Sequence, residues 1–383
     1  MKVVCKREAL LAAVQVAAGV VPSRSPKPVL QCIKLVAEED IRLFATDLEV
    51  GIQCLVRDEE ARIDEPGAVL LPAAQTGPIL REMRDELITV SSTASGTRIE
   101  GERSRFELAS EDPADYPPVP TFEEKKFHQI PGELLRVMVR RTVFATDPEN
   151  TRYALGGVLM ELDGEQARFV ATDGRRLALM DGAAEAVGNH STSGMTTVVP
   201  AKAMQLLERH LAGEKDPTLV HVSENRVVFV TPKATIVSRL LEGRFPAYEA
   251  VIPKRHTGQL SIEAGELMHG VRQAAIVTTE DSRGVTWTLD GSELKIAGFS
   301  RDVGRSEVLL TAAYEGPAMR LAFDPRYVLD MLKTLDEAVT VRLDVTDPES
   351  AAVFRTDDGY LYVLMPLSLE EEPAESAAEE VEA

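Results

Sequence analysis

Ala171-Thr172-Asp173-Gly174-Arg175-Arg176-Leu177-Ala178 restates a phrase met earlier in the chain, Ala45-Thr46-Asp47, and the segments after each copy keep the same order. After the first come Pro72-Ala73 and Asp115-Tyr116-Pro117; after the second come Pro200-Ala201 and Phe245-Pro246-Ala247-Tyr248. A repeat this long exceeds the units of solenoids and propellers and is large enough to enclose its own core. A third unit, from about residue 253 to 369, lacks the Ala-Thr-Asp phrase but keeps the order of elements. Gly265-Glu266-Leu267 echoes Gly132-Glu133-Leu134, and Asp324-Pro325 opens a helix as Pro200 does. The sequence therefore predicts three similar domains, 1–125, 126–252 and 253–369, followed by an acidic tail, 370–383, which suits a chain of 383 residues.

Each unit reads as two helices and several strands. Apolar residues three and four apart mark the first helix of each: Leu10, Leu11, Val14, Ala17, Ala18 and Val21; Leu134, Leu135, Met138 and Thr142; Leu267, Met268, Val271 and Ala275. The second helix begins near Pro72, Pro200 and Pro325, where the missing N–H of proline has no helical partner to lose. The expected helices are 7–21, 72–84, 132–144, 201–211, 264–276 and 325–336. Elsewhere the period falls to two. Val339, Val341, Leu343 and Val345 alternate with Thr340, Arg342 and Asp344, and Val227 and Phe229 do the same, the pattern of half-buried strands. The fold class is α+β, built of two-helix, antiparallel-sheet domains.

With 44% apolar residues, no leader-like segment and no long apolar run, the chain reads as a soluble cytoplasmic protein. Cys5, Cys32 and Cys54 show no CxxC spacing, so they read as buried small hydrophobes rather than a disulfide framework or zinc site. Glu370 to Ala383 carries seven glutamates and no basic residue, the composition of a solvated, disordered tail. No phosphate loop, GxGxxG, HExxH or GxSxG is present. The six histidines, His128, His190, His210, His221, His256 and His269, stand at no metal-ligand spacing. Asp47 and Asp173 could be imagined as paired catalytic carboxylates, but Thr-Asp at a strand end more often satisfies turn backbone. Gly174 supplies the positive φ such a turn needs. No metal, cofactor or catalytic residue is expected.

Charge poses a puzzle. The net charge of −20 opposes ordinary adhesion to a polyanion. The six expected helices, however, carry eleven Lys or Arg against seven Asp or Glu, with Arg136, Arg140 and Arg141 sharing one helix with the single acid Glu133. This is either a set of solvated helix faces or a surface that faces phosphate.

Four phrases in order carry a resemblance: Ala171 to Ala178, Gly243-Arg244-Phe245-Pro246-Ala247-Tyr248, Tyr327-Val328-Leu329-Asp330 and Tyr362-Val363-Leu364-Met365-Pro366-Leu367. Together with Arg7-Glu8 and Gly101 to Leu108, they make the chain similar to the bacterial DNA polymerase III beta subunit family, the replicative sliding clamps, from residue 1 to about 369. The resemblance implies a homodimeric ring of three domains per chain. Its helices would line the inside, and it would enclose double-stranded DNA without reading sequence and without catalysis. Partners would be the polymerase III catalytic subunit, the clamp loader, and other polymerases and repair proteins that dock through short apolar motifs.

Carried over residue by residue, the resemblance places Arg24, Tyr153 and Lys202 toward DNA; Arg136, Arg140 and Arg141 join them on charge alone. Ala74, Gln75, Glu149, Ala154 and Ala201 stand where the family often has basic, amide or aromatic groups. A peptide pocket is implied at Leu155, Thr172, Gly174, Arg175, Arg176, Leu177, Pro246, Val251, Tyr327, Val363, Leu364, Met365, Pro366 and Leu367, with Ala250 and Ser368 each replacing a usual arginine of its rim. Subunit contact is implied at Arg103, Arg105 and Phe106 on one side and at Ile276 and Val277 on the other, with Asp302 and Glu307 as the acids nearby. Two other classes stay open on sequence alone: a repeat-built peptide-binding scaffold that does not encircle DNA, and an enzyme at a domain junction.

Overall fold

The computed structural model describes residues 1–149, 154–280 and 283–368. The expected acidic tail, 370–383, lies outside the described residues. Six helices form where the periodicity places them: α1 (Arg7–Ala18), α2 (Ala73–Glu82), α3 (Gly132–Arg140), α4 (Ala201–His210), α5 (Ala264–Ala274) and α6 (Pro325–Leu332). They pack as consecutive pairs, α1 on α2, α3 on α4 and α5 on α6. Each buries one apolar stripe, such as Leu10, Ala13, Val14 and Ala17 of α1 or Leu267, Met268, Val271 and Ala274 of α5. The helices are shorter at their ends than the pattern predicts. After α3 and α5 the chain tightens into 3₁₀ turns, Val143–Ala145 and Ala275–Val277, and these keep residues in near-helical sequence after the helix itself has stopped. Pro72 and Pro200 cap α2 and α4 from just outside, and Pro325 alone occupies a first helical position. Asp324 caps α6, its side chain accepting from the Arg326 N–H at 3.0 Å.

The chain divides into two compact units. The first holds Met1–Val170 and Asp181–Phe245; the second holds Ala171–Met180 and the described residues from Pro246 on. In the first unit, one nine-stranded sheet runs through two sequence repeats, because strand Ala234–Arg239 of the second repeat pairs antiparallel with Val50–Leu55 of the first. A five-stranded sheet in the same unit ends on Arg105–Ala109, which among the described residues pairs on one side only, with Gly96–Glu100. In the second unit, Arg176–Met180 pairs with Tyr360–Leu364, so a short piece of the second repeat is built into the sheet of the third. A four-stranded sheet here ends on Gly304–Thr311, paired among the described residues only with Glu293–Ser300.

Two-residue periodicity holds in strand Thr340–Val345 with one exception. Val341, Leu343 and Val345 are buried, but so is Asp344, whose carboxylate accepts from Gln259 Nε2 at 2.7 Å and Arg355 Nε at 3.0 Å. The core of the second unit centres on Trp287, fully buried, whose ring meets Phe323 edge-on at 5.2 Å between centroids.

Candidate functional site

The Thr-Asp turn organises the site. Thr172 Oγ1 accepts from the Gly174 N–H at 3.1 Å and donates to the Arg176 carbonyl at 2.6 Å. Asp173 Oδ1 accepts from the N–H groups of Arg175 and Arg176 at 2.9 and 3.0 Å. Gly174 lies at φ 87°, the left-handed region that glycine enters without a Cβ clash. Asp47 likewise accepts from two backbone N–H groups, those of Glu49 and Val50. Both aspartates serve their turns as sequence spacing suggests, although Leu48, not glycine, takes the positive φ of 81° in the first copy.

Beyond the turn, Leu177, Val363 and Leu364 are buried on paired strands. Val251, Met365 and Leu367 are exposed, at 56%, 48% and 37%. The segment that carries Met365 to Leu367 is anchored by backbone: Met365 N–H donates to the Arg175 carbonyl at 3.1 Å, and Leu367 N–H to that of Ala322 at 2.7 Å. Pro246, Pro366 and Tyr327 are half-buried, and the Tyr362 hydroxyl donates to the Tyr327 carbonyl at 2.9 Å. The apolar residues expected from sequence to form a pocket are thus of two kinds, buried and exposed. Thr172 is buried, Gly174 and Arg175 are exposed, and Arg175 donates to the Tyr327 hydroxyl at 3.2 Å. Leu155 is the exception in placement, since it is buried in the first unit.

Arg176 is held on three sides. Its Nε donates to Asp173 and its Nη1 to Asp330, both at 3.0 Å, while its guanidinium carbon lies 4.6 Å from the Tyr327 ring centroid. Burial acts to lower its pKa, but Tyr362, Asp330 and Asp173 outweigh it and the net shift is upward, so the cation is permanent. Asp330 belongs in this site and was not singled out from sequence. The available signal was its spacing of three from Tyr327 on α6, which puts both on one helix face.

The residues expected to face DNA divide more sharply. Arg24 and Arg140 are exposed. Lys202 extends from the first turn of α4 and is ion-paired to Asp47. Arg136 is half-exposed and faces Glu208 of α4 at 3.6 Å. Arg141 corrects the sequence reading. It is the residue that ends α3 and is only 5% exposed, because its N–H still bonds the Val137 carbonyl and the continued helical course puts it three residues after buried Met138, on the inward side. Tyr153 lies outside the described residues.

The expected subunit-contact residues sit on or beside edge strands. Arg105 and Phe106 belong to Arg105–Ala109, where Arg105 is ion-paired to Glu100. Phe106 and Arg103 line a groove of about 670 Å³ with Met83, Asp85 and Leu87. Asp85 fastens the loop that carries Arg103, accepting from the Glu102 N–H at 2.9 Å and Ser104 Oγ at 3.2 Å. In the second unit, Ile276 is 77% exposed and Val277 is half-buried in the 3₁₀ turn packed on the edge strand Gly304–Thr311. Glu307 lies on that strand, paired with Lys295 at 2.6 Å, and Asp302 is exposed in the preceding turn.

The structure also assembles a group that no spacing indicated. His190 Nε2 accepts from the Val222 N–H at 3.1 Å, so a neutral His190 carries its proton on Nδ1 and donates to His128 Nδ1 at 2.7 Å. His221 lies beside them, 5.5 Å from His190 between ring centroids. Burial, then the neighbouring His128, pushes the His190 pKa down to about 4, and burial lowers that of His128. Among the described residues, no group of three metal-ligating side chains is arranged to hold an ion. No helix of the described residues is long and apolar enough to cross a membrane. Cys5, Cys32 and Cys54 are buried, with thiol pKa values pushed up by burial to about 12, 11 and 12, which leaves them unreactive.

Three domains of paired helices and antiparallel sheet, with exposed apolar side chains and a clamped arginine in the second compact unit, define a DNA clamp. Models of the DNA polymerase III beta subunit match along the chain: the N-terminal domain at 1–120, the central domain at 129–247 and the C-terminal domain at 249–368. The beta sliding clamp of Chlamydia pneumoniae is 30% identical over 375 residues, covering 97% of this chain and all of that one. The solved sliding clamp of Pseudomonas aeruginosa bound to griselimycin superposes with a TM-score of 0.88 at 30% identity, over 96% of this chain and all of that one. The Bacillus subtilis clamp superposes at 0.90 with 25% identity, over 97% of this chain and all of that one. The chain belongs to the DNA polymerase III beta subunit family. It is a sliding clamp, a non-catalytic processivity factor of DNA replication rather than an enzyme.

Proposed function

We propose that two copies of this chain close head to tail into a ring around duplex DNA in the cytoplasm, with the helices facing inward, and that domain limits fall near residues 125 and 252. Topology then does the holding. A protein that binds DNA by charge alone loses affinity steeply with salt, and a net charge of −20 opposes it. A closed ring needs only weak contacts, supplied by Arg24, Arg140, Arg136 and Lys202, and no base readout. The edge strands Arg105–Ala109 and Gly304–Thr311 support head-to-tail closure. Each has one side unpaired among the described residues, a natural place for a second chain to add, and the two carry or adjoin Phe106 and Ile276.

The polymerase catalytic subunit, clamp loader and repair proteins dock on the second unit. The observation that carries this is the exposure of three large apolar side chains, Val251, Met365 and Leu367, in the same unit as the fixed cation Arg176 and the buried Leu177, Val363 and Leu364. Such a surface takes a short apolar motif and orients it with one charge. Ala250 and Ser368 leave the rim without the arginines usual in the family, which shifts motif preference toward apolar contact. Griselimycin, the ligand of the Pseudomonas aeruginosa clamp, is expected to bind here. Calorimetric titration of the wild type and Met365→Glu tests it. The variant should lose affinity by at least about tenfold, the cost of roughly one displaced apolar contact, without a change in melting temperature. Equal affinity would remove Met365 from the site.

A further inference from the structure

The two Thr-Asp turns match hydrogen bond for hydrogen bond. Thr46 Oγ1 accepts from the Leu48 N–H and donates to the Val50 carbonyl, as Thr172 does with Gly174 and Arg176. Asp47 Oδ1 accepts from the N–H groups of Glu49 and Val50 at 3.0 and 2.7 Å, as Asp173 Oδ1 does from the two residues after its own glycine. In each copy one carboxylate oxygen builds the turn and the other is left for a cation. Asp173 Oδ2 takes Arg176 of its own turn. Asp47 Oδ2 takes Lys202, which comes from α4 of the other repeat.

The partners in this second pair are unequal. The Asp47 side chain is 10% exposed and pinned by its turn, whereas that of Lys202 is 52% exposed. The ammonium also sits in the first turn of α4, where the helix dipole disfavours a cation and a fixed carboxylate offsets it.

We propose that Asp47 is a positioning residue for DNA contact: its fixed carboxylate holds the Lys202 ammonium in competition with phosphate, so that Lys202 makes a weak, exchangeable contact. The proposal rests on the reading of Lys202 as DNA-facing. A lysine with a resident carboxylate can release one phosphate and be caught before it takes the next, so no single phosphate holds the ring in place.

The test measures binding of the full chain to a short blunt duplex at low salt. Asp47→Asn keeps an oxygen for the turn and removes the charge. It should bind about two- to fivefold tighter, the range set by exposed ion pairs, and the double variant with Lys202→Ala should bind no tighter than Lys202→Ala alone. Asp47→Ser, whose hydroxyl can cap the same turn, is the second variant should the first fold poorly. Glu49→Gln, an exposed neutralisation two residues along, controls for charge. A gain that Glu49→Gln reproduces, or that survives in the Lys202→Ala background, overturns the proposal. If Lys202→Ala weakens binding while Asp47→Asn is neutral, the DNA-facing reading stands and the proposal alone fails. If Lys202→Ala changes nothing, both fall.

Discussion

Arg176 donates from Nη1 to Asp330 Oδ2 at 3.0 Å, joining the strand after the Thr-Asp turn to helix α6. With only 9% of its side chain exposed, the guanidinium depends on its two carboxylates to offset the loss of water. Asp330→Ala removes one of them and leaves Asp173. Urea unfolding should show a loss of about 1–3 kcal/mol, the cost of an under-satisfied buried donor, and motif peptides should bind more weakly because Arg176 is no longer fixed against Tyr327. A loss below about 0.5 kcal/mol, the level of neutral surface changes, would show that Asp173 suffices.

The buried histidine pair predicts an acid limit to stability. Both folded-state pKa values lie below the ordinary value of 6.5, that of His190 at about 4. Between those values the unfolded chain binds more protons than the folded one, so stability is complete above about pH 6.5 and falls as pH drops toward about 4. The hydrogen bonds require this direction, since a second proton on His190 would face the Val222 N–H and one on His128 Nδ1 would face the His190 N–H. Asp163 favours protonation of His128 but does not reverse its shift. Unfolding free energies from urea titrations at about pH 7.5 and about pH 5 should differ more for the wild type than for His190→Gln, by on the order of 1–2 kcal/mol. Equal pH dependence in both would show that the pair is not the titrating group.

Ring closure has a separate test at Ile276. A side chain 77% exposed contributes little to its own domain, so Ile276→Asp should leave the melting temperature unchanged and convert a dimer at micromolar protein to monomer in sedimentation velocity. A wild type that sediments only as monomer, or a variant that stays dimeric, would remove Ile276 from the subunit contact.

The domain repeat and both helix sets were legible because they depend on local rules: Thr-Asp turns repeat their hydrogen bonds, and apolar residues recur at helical spacing. Helix ends were less so, because apolar spacing continues through the 3₁₀ turns at Val143–Ala145 and Ala275–Val277. The phrases around Arg176 and Met365 gave the residues expected to form a pocket, but not which of them are buried and which exposed, since burial depends on which strand pairs with which. Arg141 shows how a charge pattern misleads, for its spacing of three from buried Met138 puts it on the inward side of the helix. The pairing of Lys202 with Asp47 and the meeting of His128 with His190 join residues far apart in sequence, and no local rule connects them.

The central claim is that the chain encloses DNA and does not merely adhere to it. The direct measurement is retention on nicked circular plasmid during gel filtration, before and after a single restriction cut. The account predicts that protein assembled on the circle co-elutes with it and is lost when the circle is linearised, because only a topological link senses DNA ends. Equal retention on circular and linear DNA, or none on the circle after assembly by a clamp loader, would contradict it.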